Sequence, residues 1–557
     1  MTQTRTFLLF AWLMVAALLW MEWNKEQQPV LAPRAPLASA GQVPLATGVP
    51  SAAVAGASTA QPVVGPIPAV AASPSVQLRS DVLALELDGR SISRAQLLRY
   101  PQKRAAGSPP VVLLDPAAAT HFEARSSWSG VVDGAELAFR PETTAREVVL
   151  GDGEKAVSAG FVAATAGGMQ VRRTYTLKRG SYAVDVRDEL VNTGNAPWSG
   201  LVQRQLLRNP PPPVGGFTNP EAFSLSGAAW YSPQDKYEKR KDPDFIEDGP
   251  LDAEAPAGKE VLGGWLALSQ HYFLAAWVPQ KDQGALYSLG ADGSTHRIEA
   301  RGPQVTLAPG QRVSSQATLW VGPKLAESLD ATAPGLGLAL DYGMFTVLSK
   351  PIHWLLTQLH KLTHNWGWAI VLLVVLIKLA LYPLSAAQYK SMAKMRKFQP
   401  RIEQLKERYG EDKQKFQMAM LELYKKEKIN PAGGCLPILI QMPVFLALYY
   451  VLLEAVELRQ APWIMGWIND LTAQDPYYIL PVLNGVIMWL TQKMTPMVGM
   501  DPMQKKMMQM MPLVMAVMFA FFPAGLVLYW VTNGALGLLQ QWWNTKRYNE
   551  DAPVAKA

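Results

Sequence analysis

Cysteine is all but missing. Cys435 is the one thiol in 557 residues, which excludes an internal disulfide framework and any cysteine-rich metal site. Histidine is scarce too: of six, His353, His360 and His364 fall in or beside one amphipathic stretch, and His121, His271 and His296 are too scattered to nominate a site. There is no G-x-x-x-x-G-K, no H-E-x-x-H and no G-x-S-x-G, so the nucleotide, zinc-protease and serine-hydrolase signatures are lacking. No cofactor, metal, small-molecule substrate or catalytic centre is expected. From Gln27 to about Ser75, core-forming aromatics are absent and Arg34 is the one charge; Ala, Pro, Val, Gly and Ser dominate, the composition of a semi-extended linker.

What the chain has in plenty is apolar residues, 49% of the total, gathered in five or six stretches of membrane-protein character. Residues 1–23 read as an uncleaved transmembrane anchor, because bulky Trp20 and Trp23 stand where the small residues of a cleavage site belong; a secretory signal peptide is the alternative. The linker, 24–75, follows. Residues 76–335 change to short alternating segments separated by turn residues, and an all-β sandwich is predicted. The clearest segment is Val171 to Asn192, two alternating runs flanking Lys178-Arg179-Gly180-Ser181, a hairpin signature.

Residues 336–364 hold connecting and interfacial amphipathic helices, with Ile352, Leu355, Leu356, Leu359 and Leu362 on one face. Transmembrane helices are predicted at 365–384, 431–456, 476–494, 507–522 and 525–543. With the anchor they make an α-helical polytopic membrane protein of six spans. Several fall short of the ~20 residues that a ~30 Å hydrocarbon layer asks for, so thinning of the bilayer around them is expected. The basic segment 385–430 is cytoplasmic by the positive-inside rule, and the acidic loop 457–475 faces out. The loop 495–506 and the tail 544–557 return to the cytoplasm, which leaves both termini inside and the β domain outside. The hairpin within 385–430 reads as two helices about Gly410, with Met395, Phe398, Ile402 and Leu405 facing Phe416, Met420 and Leu423. Its charged exterior (Lys394, Arg396, Lys397, Arg401, Lys406, Arg408) is either a solvated face or a contact for ribosomal RNA and anionic lipids.

Lys378 interrupts the apolar run from Trp366 to Pro383. A mid-bilayer lysine costs roughly 2.5–3.5 kcal/mol, so it marks a functional site unless its stem snorkels to the headgroups. Tyr382 and Ser385, at i+4 and i+7, are expected on its helix face. Gln441 is expected at about its depth, and Tyr529, Asn533 and Gln540 form a polar stripe on the last span. Together they predict a hydrated groove open to the cytoplasm, although each amide alone could be an interhelical hydrogen bond. Methionines crowd the fifth span, Met508, Met511 and Met515 among them; with Phe445 and Tyr449 on the third, they suit either an adaptable apolar slide or plain packing. Two other readings stay open: a solute transporter using Lys378, and a sugar-acting enzyme in the β domain.

One resemblance is specific. Tyr382-Pro383-Leu384, Gln388 to Met395, Asn430-Pro431, Gly433-Gly434-Cys435, Gln441-Met442-Pro443, Phe445 to Tyr450, Glu457 to Pro462, Asp475 to Pro481 and Phe522 to Tyr529 resemble the bacterial YidC membrane protein insertases. The likeness covers essentially Leu348 to Arg547, and the anchor and large β domain ahead of it resemble the Gram-negative form. It implies a five-helix insertase core and a periplasmic supersandwich. It also implies insertion and chaperoning of nascent membrane proteins in the inner membrane, alone or with the Sec translocon, with ribosomes at the hairpin. The family's groove charge is typically arginine. Lys378 keeps the positive charge and loses the forked hydrogen bonding, while Val374 and Trp530 stand where relatives can carry a hydroxyl and a tyrosine.

Overall fold

The computed structural model describes residues 75–130, 137–165, 167–212, 224–245, 251, 258–409, 412–427, 436–495 and 502–550. The expected anchor, nearly all of the linker, Gly410 and Cys435 lie outside the described residues.

Alternating sequence produces the β domain. A ten-stranded sheet runs between edge strands Lys259–Leu262 and Glu147–Val149, and a nine-stranded sheet between Lys236–Lys241 and Arg140–Pro141. Pairing is antiparallel throughout the described strands except where Val76–Arg79 meets Glu147–Val149 in parallel. The predicted hairpin forms from Met169–Lys178 and Ala183–Asn192, pairing Leu177 with Val184 and Val171 with Leu190. Gly180 takes φ +72° in its turn, a conformation that costs a side-chain-bearing residue roughly 1–2 kcal/mol. Val171, Tyr175 and Leu177 point into the core between the sheets, and so does Arg173, which the same period places inward. Its guanidinium grips Asp188 (Nε to Oδ1 2.6 Å, Nη2 to Oδ2 2.8 Å), and Nη1 donates to Gly89 O at 2.9 Å, so one charge pair ties the two sheets together.

The helical part comprises α1 (Ala326–Thr332), α2 (Thr346–Thr363), α3 (Trp366–Ala380), α4 (Tyr382–Lys397), α5 (Gln399–Tyr409), α6 (Lys413–Lys426), α7 (Leu436–Glu454), α8 (Ile479–Met494), α9 (Pro502–Phe519) and α10 (Ala524–Glu550). Four expectations change. The span 365–384 is not one helix: α3 stops at Ala380, and the following helix leaves at 63°. Pro383 has no N–H for Leu379 O and its ring would crowd that carbonyl, so the chain restarts with proline in the first turn of α4. The hairpin's first limb is itself divided at Phe398, giving three helices rather than two. The loop 495–506 is helical from Pro502, and α10 runs past 543 into the expected tail. Among the described residues no single helix is both long and apolar enough to cross a membrane; the bent pair Trp366–Ala380 and Tyr382–Tyr389 is.

Residues 520–523 join α9 to α10, with Pro523 immediately before the helix. The first four amides of α10 are all paired: Ala524 N–H donates to Ala473 O (2.7 Å), Gly525 to Leu471 O (2.8 Å), and Leu526 and Val527 to Pro523 O (3.0 and 3.1 Å). Helix starts usually leave these donors to side chains or water.

Candidate functional site

Lys378 occupies the last turn of α3, where a cation faces the negative end of the helix dipole. Helices α3 and α10 pack closely because α10 has a glycine at the meeting point. The Lys378 ammonium lies 3.7 Å from where a Cβ on Gly537 would be. Tyr389 Oη, from α4, donates to Gly537 O at 3.1 Å. One turn earlier on α10, Asn533 Oδ1 accepts from Gln441 Nε2 of α7 at 3.2 Å. An ammonium, a phenol and a carboxamide pair thus gather along one turn of α10. Lys378 is half-buried, and among the described residues no carboxylate neutralises it.

Tyr382 and Ser385 do not share the helix of Lys378, since both lie beyond the break, on α4. Val374 is buried in packing rather than lining an opening. Tyr529 is also buried; Phe445 stacks on it with centroids 5.8 Å apart and meets Trp530 edge-on at 4.7 Å. Trp530 Nε1 and Gln540 Oε1 are buried without a hydrogen-bond partner among the described residues.

Met511 is exposed, Met508 and Met515 are half-buried, and Tyr449 packs edge-on against Tyr450 with centroids 5.7 Å apart. Pro512 deprives Met508 O of its helical donor, and Gln492 Nε2 of α8 supplies one instead. Around these helices runs a belt of exposed apolar side chains that includes Val482, Trp489, Leu513, Val517, Leu539 and Trp542. In the hairpin, Ile402 is buried between α5 and α6, and Arg401 bonds Glu427 across them (3.0 Å). Lys406 and Arg408 are exposed; the side chains of Lys394, Arg396 and Lys397 lie outside the described residues.

The family described as 60Kd inner membrane protein matches residues 358–551, and that described as YidC periplasmic domain matches 75–355. The membrane protein insertase YidC of Xanthomonas campestris pv. campestris (strain 8004) is 53% identical over 572 residues, covering 99% of this chain and 98% of its own. The chain belongs to the YidC family. The YidC of Stenotrophomonas maltophilia (strain R551-3) is 54% identical over 573 residues, covering 100% of this chain and 99% of its own. A crystal structure described as an active YidC insertase with its first transmembrane domain resolved is 19% identical, covers 84% of this chain and 94% of that one, and has a TM-score of 0.35. YidC relatives are membrane protein insertases rather than enzymes, so the clients of this YidC-family chain are nascent membrane proteins, and residues 75–355 are its periplasmic domain.

One part of this YidC-family chain escaped the sequence reading, the joint between β domain and helices. Glu454, at the end of α7, is buried with Lys324 Nζ at 3.4 Å and accepts from Ser224 Oγ at 2.7 Å. Nearby, His353 Nε2 of α2 approaches Glu457 Oε1 at 3.8 Å, and neither His353 Nε2 nor Glu457 Oε2 has a hydrogen bond among the described residues. Burial pushes His353 down to about 4 and Glu457 up to about 7. Between those values both groups are neutral, so the approach is not a salt bridge. The available signal was an acid closing an apolar helix, where the dipole disfavours it.

Proposed function

We propose that this chain inserts nascent transmembrane segments through a hydrated groove that opens to the cytoplasm and is closed on the outer side. The observation that carries this reading is the half-buried Lys378 ammonium set against Gly537, one turn from the Gln441–Asn533 pair. A cation held there lowers the cost of moving acidic or polar residues into the membrane, because an ion pair in a low-dielectric site is far stronger than one in water. The segment's polar outer tail enters beside Lys378, Tyr382, Ser385, Gln441, Tyr529, Trp530 and Asn533. Its apolar part leaves along Phe445, Tyr449, Met508, Met511 and Met515 into lipid. The short helices thin the bilayer and shorten the remaining path. The basic hairpin holds ribosomes and anionic lipids, the chain works alone or beside the Sec translocon, and it chaperones clients during folding. Both termini lie in the cytoplasm of a Gram-negative cell.

In reconstituted vesicles, Lys378→Arg is expected to insert acid-tailed clients as well as the parent does. Lys378→Glu is expected to lower their insertion about tenfold or more, as for a charge reversal worth at least 1.4 kcal/mol. Equal insertion by Lys378→Glu and the parent would remove the electrostatic role.

A further inference from the structure

We infer that Glu454 is a positioning residue for the groove: its buried pairing with Lys324 makes the β domain the outer anchor of α7. This rests on the groove reading above and adds what holds one of its walls. Helix α7 brings Gln441 and Phe445 to the surroundings of Lys378 and ends at Glu454. A carboxylate at a helix C-terminus opposes the dipole, and Glu454 is only 1% exposed, so its place is set by partners rather than by helix preference.

Those partners all belong to the β domain or its exit. Lys324 is wholly buried with its Nζ 3.4 Å from Glu454 Oε2, and Ser224 Oγ donates to Oε1 at 2.7 Å. His271 Nε2 meets the neighbouring carbonyl, Leu453 O, at 2.9 Å. The chain after α7 is gripped as well, since Arg459 donates to Pro101 O (2.8 Å) and Gln102 O (3.0 Å), and Gln460 Nε2 donates to Pro101 O (3.0 Å). From Glu454 back to Gln441 is about 20 Å of helix at 1.5 Å per residue. Pro443 interrupts the hydrogen bonding of α7 only beside Gln441, so a displacement at Glu454 is carried along the helix to that turn, and a shift of about 1 Å there is enough to break the Gln441–Asn533 bond. Removing either group leaves the other buried and unpaired, so the pair resists displacement of the helix end.

The test places spin labels at exposed Met442 of α7 and Leu539 of α10, in a Cys435→Ala background of the full chain in lipid nanodiscs. Glu454→Gln is expected to shift or broaden the 442–539 distance distribution, and the exchange Lys324→Glu with Glu454→Lys to restore it. Insertion of an acid-tailed client should fall about fivefold with Glu454→Gln, the effect of one lost hydrogen bond, and recover in the exchange. Should Glu454→Gln fail to fold, Lys324→Met with Glu454→Leu keeps the joint buried without directed pairing, and the same broadening is expected. A parental distance distribution in whichever of these variants folds overturns the inference. Full insertion by Lys378→Glu would instead sink the groove reading and leave the distance result standing.

Discussion

Asp188 is completely enclosed between the two sheets. Burial pushes its carboxyl up, and the Arg173 guanidinium more than reverses this, with Trp128 Nε1 adding a hydrogen bond at 2.8 Å, so the group stays ionised below the usual carboxylate range. Removing one member of such a pair strands the other's charge, and Asp188→Asn is expected to destabilise the β domain by about 3–5 kcal/mol in denaturant unfolding followed by tryptophan fluorescence. His353 and Glu457 supply a second residue-scale expectation, with opposite signs. His353 is lowered to about 4, so its folded form binds fewer protons than the unfolded chain; that stability is complete above about 6.5 and is lost as pH falls towards 4. Glu457 is raised to about 7, so its contribution is complete below about 4.5 and is lost as pH rises to 7. In the parent the two slopes largely cancel between pH 4.5 and 6.5. Melting temperatures measured across that window should rise with pH in Glu457→Gln and fall with pH in His353→Gln; parallel slopes in the two variants would refute this.

At the scale of elements, the β hairpin was legible because two signals agree: a strict period of two and a glycine at the turn. The same period also made Arg173 inward-facing, but only the opposing strand's Asp188 explains how that is tolerated. The break in the second predicted span was half legible. A proline after an apolar run marks its end, whereas the chain resumes immediately as α4, which moves Tyr382 and Ser385 off the helix of Lys378. The basic hairpin carries its own expectation. Lys406 and Arg408 project from α5, so Lys406→Ala with Arg408→Ala should weaken cosedimentation of the detergent-solubilised protein with ribosomes. The slope of log affinity against log salt should flatten by roughly 1.4–1.8 for two lost phosphate contacts. An unaltered slope would exclude these two residues as a ribosome contact.

At the scale of the whole molecule, composition and charge bias point to a membrane protein, alternation between turn residues points to a β domain, and local motifs point to the family. The joint was not legible, because Lys324 and Glu454 lie 130 residues apart and neither belongs to a periodic pattern that names its partner. Gly537 was hidden for a related reason: a small residue announces a close approach only once the approaching helix is known. The start of α10 has a mechanical consequence. Its first four N–H groups are satisfied by Ala473, Leu471 and Pro523 carbonyls, so that end of the helix has no unpaired donor. Fixed in this way by the two carbonyls from residues 471 and 473, the start of α10 cannot fray or slide without breaking bonds to the preceding loop, which makes it a rigid pivot for the last helix.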